Sequence, residues 1–343
     1  MTQLQTPGNR IRAVLQTIAA LLWFYIALSL ARHGAAGLAH EQWIPLAQSA
    51  MLVFLLLLGF ASMGLVYNRQ MSPIGAQGLP LRNGWLQEVG LGLATGWTLA
   101  VVCVVPLALI GGIAIHLDLS LSAWGWLLAD CALFAITALV EEVAFRGYGF
   151  QRLSQGFGTA SAIILFTALY ALIEAHRTGS SRLSVAVSVV LSLALFTAYL
   201  RTRALWVGWG LNFAWKASRG LLFGLAVSGD NSHSPLIQGD PTGPFWLTGG
   251  GFGLDGTWLA FIVLLLASPV IYRLTRELDF QYNAPVIVPG GIAVDLDHAA
   301  QAQHEAAMGK NEPAPPQLVQ ILSADVQANA HQFIPEKTPP GSH

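Results

Sequence analysis

The chain has 343 residues, of which 54% are hydrophobic and only 10% charged, with a formal net charge of −1. A soluble domain carries about 25% charged residues, so this composition and a mean hydropathy of +0.55 indicate lipid rather than water as the solvent. The near-zero net charge argues against nucleic acid as a partner.

A membrane-crossing helix needs about 20 mostly apolar residues. Eight stretches qualify in chain order: 14–30, 46–67, 89–116, 124–143, 160–175, 185–200, 204–227 and 257–274. The fifth and sixth are short and polar at their ends, as expected of helices partly buried in a bundle. The first is followed by more of the same, so it reads as a retained span rather than a cleaved signal peptide. The expected fold is therefore an all-α integral membrane protein, a bundle of about eight transmembrane helices. Its organisation is expected as residues 1–85 with the first two helices, 86–280 as the helical core, and 281–343 as a tail. That tail is rich in Pro, Gln, Ala and His, and is expected to be mostly disordered and cytoplasmic. Cys103 and Cys131 both lie in apolar runs and read as buried thiols, not as a disulfide framework or metal cluster.

Lys and Arg in short loops stay on the cytoplasmic side. With eight spans, Arg10, Arg12, Arg69, Arg82, Arg146, Arg152, Arg201, Arg203, Arg273 and Arg276 fall on one side. Arg32, Arg177 and Arg182 fall on the other, with a long loop, 228–256, that holds Asp230, Asp240 and Asp255 but no Lys or Arg. Both termini are thus expected in the cytoplasm. The many tryptophans fit an interfacial belt. Gly90, Gly92 and Gly96 permit close helix packing. The run 249–253 reads as a flexible loop; it lacks a P-loop Lys-Ser/Thr, so no nucleotide is expected.

The chemistry concentrates at the end of the fourth span, in the run Glu141-Glu142-x-x-x-Arg146. Carboxylates within a span are costly, about 2.5–3.5 kcal/mol per charge at its centre on insertion scales, and persist when paired or interior-facing. Glu142 and Arg146 are four apart and share a helix face, so they can pair. Glu141 points about 100° away and is expected to be unpaired, as suits a general base. The competing reading is a hydrated helix end at the interface.

This run, with Gly147 after it, resembles the first motif of the CPBP intramembrane proteases, also called the CaaX protease and bacteriocin-processing or Abi family. Further stretches fit in order: 200–206, 210–216, 220–224, 227–229 and 246–253. The resemblance spans about 86–274 and implies an eight-helix bundle with an interior site that opens toward the cytoplasm. It implies an endopeptidase of the metallo or glutamate type, in which Glu141 activates water. Family substrates are prenylated CaaX peptides, and bacterial members are linked to peptide processing, immunity and scaffolding. The implied partners are lipid and a membrane-associated or prenylated peptide.

The sequence departs from the family where its histidines belong. In the last conserved helix Asn212 replaces His and Lys216 replaces Asn. Asn212 can donate to an oxyanion but suits a transition metal poorly, and Lys216 cannot ligate while charged. In the second motif, counting back from 200–206 puts Glu174 on the family's His; the alternative register keeps Phe166 and puts Tyr170 there. His176 fits neither. The family implies zinc, yet its His ligands are missing, so no cofactor is certain. We expect Glu174 and Lys216 to form a buried ion pair in the site. The competing placement has Lys216 reaching an interface and Glu174 at a helix end beside Arg177. Arg219 reads as a headgroup residue or a partner of Glu142, and His116 as interfacial beside Asp118. Three functions stand: a working intramembrane endopeptidase with impaired or non-standard chemistry, a non-catalytic scaffold, immunity or binding member (a pseudoenzyme), and a transporter. The last lacks an inverted repeat or broken-helix pair.

Overall fold

A computed structural model of the protein describes residues 7–69 and 73–278. The tail expected over 281–343 lies outside the described residues. Eleven helices are present among them: α1 (Pro7–Leu38), α2 (Ile44–Asn68), α3 (Pro73–Ala76), α4 (Trp85–Leu109), α5 (Leu121–Arg146), α6 (Tyr148–Phe157), α7 (Thr159–Ala175), α8 (Arg182–Thr202), α9 (Trp206–Ala217), α10 (Phe245–Thr248) and α11 (Trp258–Leu274). The helical integral membrane architecture agrees with the sequence. Five helical segments are long and apolar enough to cross a membrane: 8–38, 41–68, 85–109, 121–157 and 182–202; α7 and α11 are apolar but shorter. Their outer faces carry exposed Leu22, Phe54, Leu58, Leu128, Leu172, Ile262 and Leu265. Such a surface faces lipid; in water it would be an aggregation site.

Three expected spans end differently. The third, expected to reach His116, stops at Leu109, after Pro106 and just before Gly111 and Gly112. Ile113–Leu117 instead alternates apolar residues at 113, 115 and 117 and forms a strand, β1, antiparallel to β2 (Ile237–Pro241). This small sheet is an addition to the all-helical reading. The fourth runs on into α6, interrupted only at Gly147, where a Cβ would sit 2.3 Å from the Val143 carbonyl oxygen. The seventh, expected over 204–227, is a 12-residue α-helix followed by a π-helical turn at Ser218–Leu222.

Close approach of α4 and α9 rests on glycine. A Cβ at Gly92 would lie 2.3 Å from the Val207 carbonyl, one at Gly96 2.3 Å from the Leu211 carbonyl, and one at Gly210 2.6 Å from the Val89 carbonyl. Gly90, expected to share this role, has open space around it. A core of Cys103, Leu107, Leu191, Leu195, Leu211, Trp215 and Leu264 joins α4, α8, α9 and α11. A second core of Leu56, Phe60, Tyr148, Phe150, Phe166 and Phe196 joins α1, α2, α5, α6, α7 and α8.

Tertiary contacts sort the loops into two ends. At one end Arg12 donates to the Tyr67 carbonyl, Tyr148 donates to Asn68 at 2.9 Å, and Arg82 donates to the Thr202 carbonyl at 2.7 Å. Arg201 sits over the Tyr272 ring at 4.4 Å. At the other end β1 pairs with β2, Trp43 stacks on Trp126 at 5.2 Å, Ser234 donates to the Ala123 carbonyl at 3.1 Å, and Gly229 donates to the Phe252 carbonyl at 3.1 Å. The arginine-rich loops identified in the sequence therefore gather at one end.

Candidate active site

The first carboxylate of the pair lies on α5, one turn before its end, and is held by three donors. Lys216 Nζ of α9 donates to Glu141 Oε1 at 2.5 Å, Asn212 Nδ2 to Oε2 at 2.9 Å, and Tyr170 Oη of α7 to Oε2 at 3.3 Å. Asn212 and Lys216 reach the same carboxylate because residues four apart share a helix face. Their side chains, and that of Glu141, are largely removed from solvent. The expectation that Glu141 is unpaired is thus corrected: an interhelical ammonium and two neutral donors occupy it.

Glu142 behaves as the spacing predicts. Arg146 Nη1 donates to Glu142 Oε1 at 3.0 Å, and both side chains are 0% exposed. Gly208 backs this carboxylate, because a Cβ there would lie 2.6 Å from Glu142 Oε2. The Arg146 guanidinium lies 4.8 Å from the Phe196 ring centre, a cation–π contact that supports a desolvated cation.

The expected Glu174–Lys216 ion pair is not formed. Glu174 pairs with Arg177 Nε at 3.0 Å across the last turn of α7, as the competing placement had it, while Lys216 turns to Glu141. Lys216 is nonetheless buried and does not reach an interface. Partial burial opposes the Arg177 charge, but Glu174 and then Glu141 outweigh it and raise its pKa above the ordinary arginine value. The two candidates for the second motif, Tyr170 and Glu174, are one turn apart, and both line the cavity; Tyr170 is the one that bonds Glu141.

A further ion pair, the third around the site's cavity, went unseen in the sequence. Arg219, on the π-helical turn, pairs with Asp255 at 2.6 Å and donates through Nε to the Trp215 carbonyl at 2.9 Å. Ser228 donates to Asp255 at 3.1 Å. Neither a headgroup role nor a Glu142 partnership for Arg219 holds. The signal was thin: Asp255 is 36 residues from Arg219 and was marked only as one of three acids in the long loop 228–256. The glycine-rich run 249–253 is not a plain loop: it holds a 3₁₀ turn, Gly250–Phe252, with Gly249, Gly250 and Gly253 at positive φ, and a second 3₁₀ turn, Leu254–Gly256, follows it. His116 pairs with Asp240 at 3.6 Å across the β1–β2 sheet rather than with Asp118.

The three ion pairs, Glu141–Lys216, Glu174–Arg177 and Asp255–Arg219, surround one cavity of ≈ 20 Å³, also lined by Tyr170, Ser184, Ser188 and Ser228. That is room for about one water molecule. Its lining contains no His or Cys. Each of the three carboxylates already faces a cation, and an ammonium stands on the wall where a metal ion would sit. These residues do not fit the zinc that the family resemblance implies.

Comparison with known proteins bears on the segment that carries most of this site. Residues 121–218 match a family model described as type II CAAX prenyl endopeptidase Rce1-like. The CPBP resemblance holds over α5 to α9. That stretch contains Glu141, Glu142, Arg146, Tyr170, Glu174, Asn212 and Lys216, and stops short of Arg219 and Asp255. Residues 121–218 are thus similar to a CAAX-type intramembrane protease, and they sit in a membrane bundle. No curated protein and no solved structure was found to match it.

Proposed function

We propose that this protein is a CAAX-protease-type membrane protein whose hydrolytic centre is restrained, and that it binds a membrane-associated peptide rather than cleaving one efficiently. A general base must present a free lone pair to water and release its own partners as the proton arrives. Glu141 instead faces an ammonium, an amide and a phenol at once, and the single observation that carries the reading is the Lys216–Glu141 ion pair at 2.5 Å. In either register the second family position carries no imidazole, being Glu174, tied to Arg177, or Tyr170, bonded to Glu141, so no histidine stands beside Glu141 to share the proton. The natural partners under this reading are lipid and a prenylated or otherwise membrane-held peptide, with both termini in the cytoplasm of a bacterial inner membrane.

One observation favours residual hydrolysis as a second reading. The cavity beside Glu141 has room for about one water, and Asn212 Oδ1 is buried without a hydrogen-bond partner. A carboxylate, a water and an amide are enough for slow acid–base cleavage. The test is a cleavage assay on detergent-purified protein with a CaaX-peptide reporter, comparing wild type with Glu141→Ala. Equal background from both supports the restrained reading. Cleavage by wild type that disappears in Glu141→Ala overturns it. Gain of cleavage on combining Glu174→His, Asn212→His and Lys216→Asn would further show that these three positions impose the restraint.

A further inference from the structure

We infer that the junction of α1, α2 and α6 binds an anionic phospholipid, with its phosphate on Arg152, Arg12 and Gln16 and an acyl chain in an apolar cavity deeper between the same helices. The inference gives the proposed partnership with lipid a stated site. That site is separate from the Glu141 cavity.

Charge singles out Arg152. Three arginines are classed as buried: Arg146, Arg152 and Arg219. Arg146 pairs with Glu142, and Arg219 pairs with Asp255. Arg152 is only 7% exposed and forms no ion pair among the described residues, and its Nε is buried without a hydrogen-bond partner. Its guanidinium lies 5.3 Å from the Tyr148 ring centre. The groups that act on it electrostatically are Tyr148, Tyr199 and Arg12, none of them an acid. A buried charge is costly without a counter-charge, so the partner this site lacks is an anion.

A second unused donor stands at the same level. Gln16 is one turn along α1 from Arg12, is 8% exposed, and buries its Nε2 without a hydrogen-bond partner. Helices α1 and α6 pack antiparallel: Gly156 meets Ala13, and Gly149 meets Ala20. Gln16 and Arg152 lie between those two contacts, one on each helix. Arg12 is exposed beside them and donates to the Tyr67 carbonyl at the end of α2. Arg203, also exposed, acts with Arg152 on Tyr199.

The hydrocarbon has a place as well. An apolar cavity of ≈ 120 Å³ is lined by Leu21, Phe24, Phe60, Phe145, Phe166 and Leu172. Apolar cavities of about 150 Å³ stay dry and admit benzene, so this lining suits an acyl segment and not water. Phe60 on its wall stacks at 6.1 Å on Tyr148, the ring that Arg152 covers. At 1.5 Å per residue, Leu21 lies about 14 Å along α1 from Arg12. Leu172 on the rim is exposed on the lipid-facing surface. Phosphate seat and hydrocarbon seat thus follow the order of a phospholipid in its leaflet.

Charge also selects the headgroup. The arginine-rich end exposes Arg10, Arg12, Arg69, Arg203, Arg273 and Arg276, and no exposed acid accompanies them among the described residues. A zwitterionic lipid would bring an ammonium with no carboxylate to receive it. A phosphodiester with a neutral glycerol head brings only the charge that arginine binds. Basic pockets between membrane helices hold anionic headgroups in this way.

The test is thermal unfolding of the full chain in a neutral detergent with added lipid. Dioleoyl-phosphatidylglycerol is expected to raise the wild-type midpoint by several degrees. Dioleoyl-phosphatidylcholine, inorganic phosphate and glycerol phosphate are each expected to leave it in place. Arg152→Gln should lose the shift, and Arg273→Gln, at the same end but outside the site, should keep it. Should Arg152→Gln fail to fold, Arg12→Gln combined with Gln16→Leu serves instead, with the same loss expected. An equal shift from phosphatidylcholine, or a shift from either soluble phosphate, overturns the inference. So does the absence of any shift with phosphatidylglycerol, its survival in the site variants, or an equal loss in Arg273→Gln. None of these readouts involves cleavage, so the inference and the proposed function can fail separately.

Discussion

Glu141 and Glu142 are neighbours in sequence and live in different electrostatic settings. Glu142 takes its cation from its own helix, four residues on, and the pair is sealed against Gly208 and Phe196 with no space for water. Glu141 takes its cation from another helix, at the wall of a water-sized cavity that two further ion pairs surround. The first pair is part of the helix and fixes where α5 sits. The second exists only because α5, α7 and α9 converge. The difference teaches that one carboxylate serves the frame, while the other depends on the convergence of three helices at a cavity.

The sharpest way to break that comparison is to remove the cation from the framing pair. Arg146→Ala leaves an uncompensated, fully buried carboxylate, which costs about 3–5 kcal/mol, so the variant is expected to lose its monodisperse peak on size-exclusion chromatography in detergent. If Arg146→Ala behaves like wild type, Glu142 is not a sealed framing charge. Gly208→Ala probes the same seat from the other side. Its new methyl would meet Glu142 Oε2 at 2.6 Å, an overpacking expected to cost roughly 1–3 kcal/mol, read as a lowered apparent melting temperature.

The cavity side should respond more softly at its mouth. Arg177 is 42% exposed while its partner Glu174 is nearly buried, and exposed pairs contribute about 1 kcal/mol or less. Arg177→Ala should therefore shift melting only slightly; a loss as large as that of Arg146→Ala would erase the distinction between mouth and frame. The smallest effect belongs to metal. Because the donor set pairs each carboxylate with a cation, neither EDTA nor added zinc should move the melting temperature, and a rise of several degrees with zinc would contradict the paired arrangement.

The same comparison explains what was legible in the sequence. The i,i+4 spacing of Glu142 and Arg146 carried the framing pair in full, because helix geometry alone decides it. Asn212 and Lys216 were legible as one face of a helix, and the structure brings both to Glu141. Which acid Lys216 would choose was not: Glu141 and Glu174 both line the cavity, and the helical repeat says nothing about distances between helices. The local competitor decided it, since Arg177 sits three residues after Glu174 and engages it first. Tyr170 and Glu174 were posed as rival registers, yet one turn of α7 brings both to the cavity. The Arg219–Asp255 pair depends on a 36-residue excursion through β2 and the glycine turns, which no short-range pattern encodes. Apolar length located the long helices but not the strand at Ile113–Leu117 or the π-helical turn after Ala217, where a proline, paired glycines and side-chain packing override hydropathy.

The central claim is that Lys216 neutralises Glu141, and a double-mutant cycle on these two positions tests it most directly. Unfolding of Glu141→Gln, Lys216→Met and the double variant, measured beside wild type, should give a coupling of at least about 1 kcal/mol, with the double variant more stable than Lys216→Met alone. A coupling indistinguishable from zero between 141 and 216, or a larger one between 174 and 216, would contradict the account.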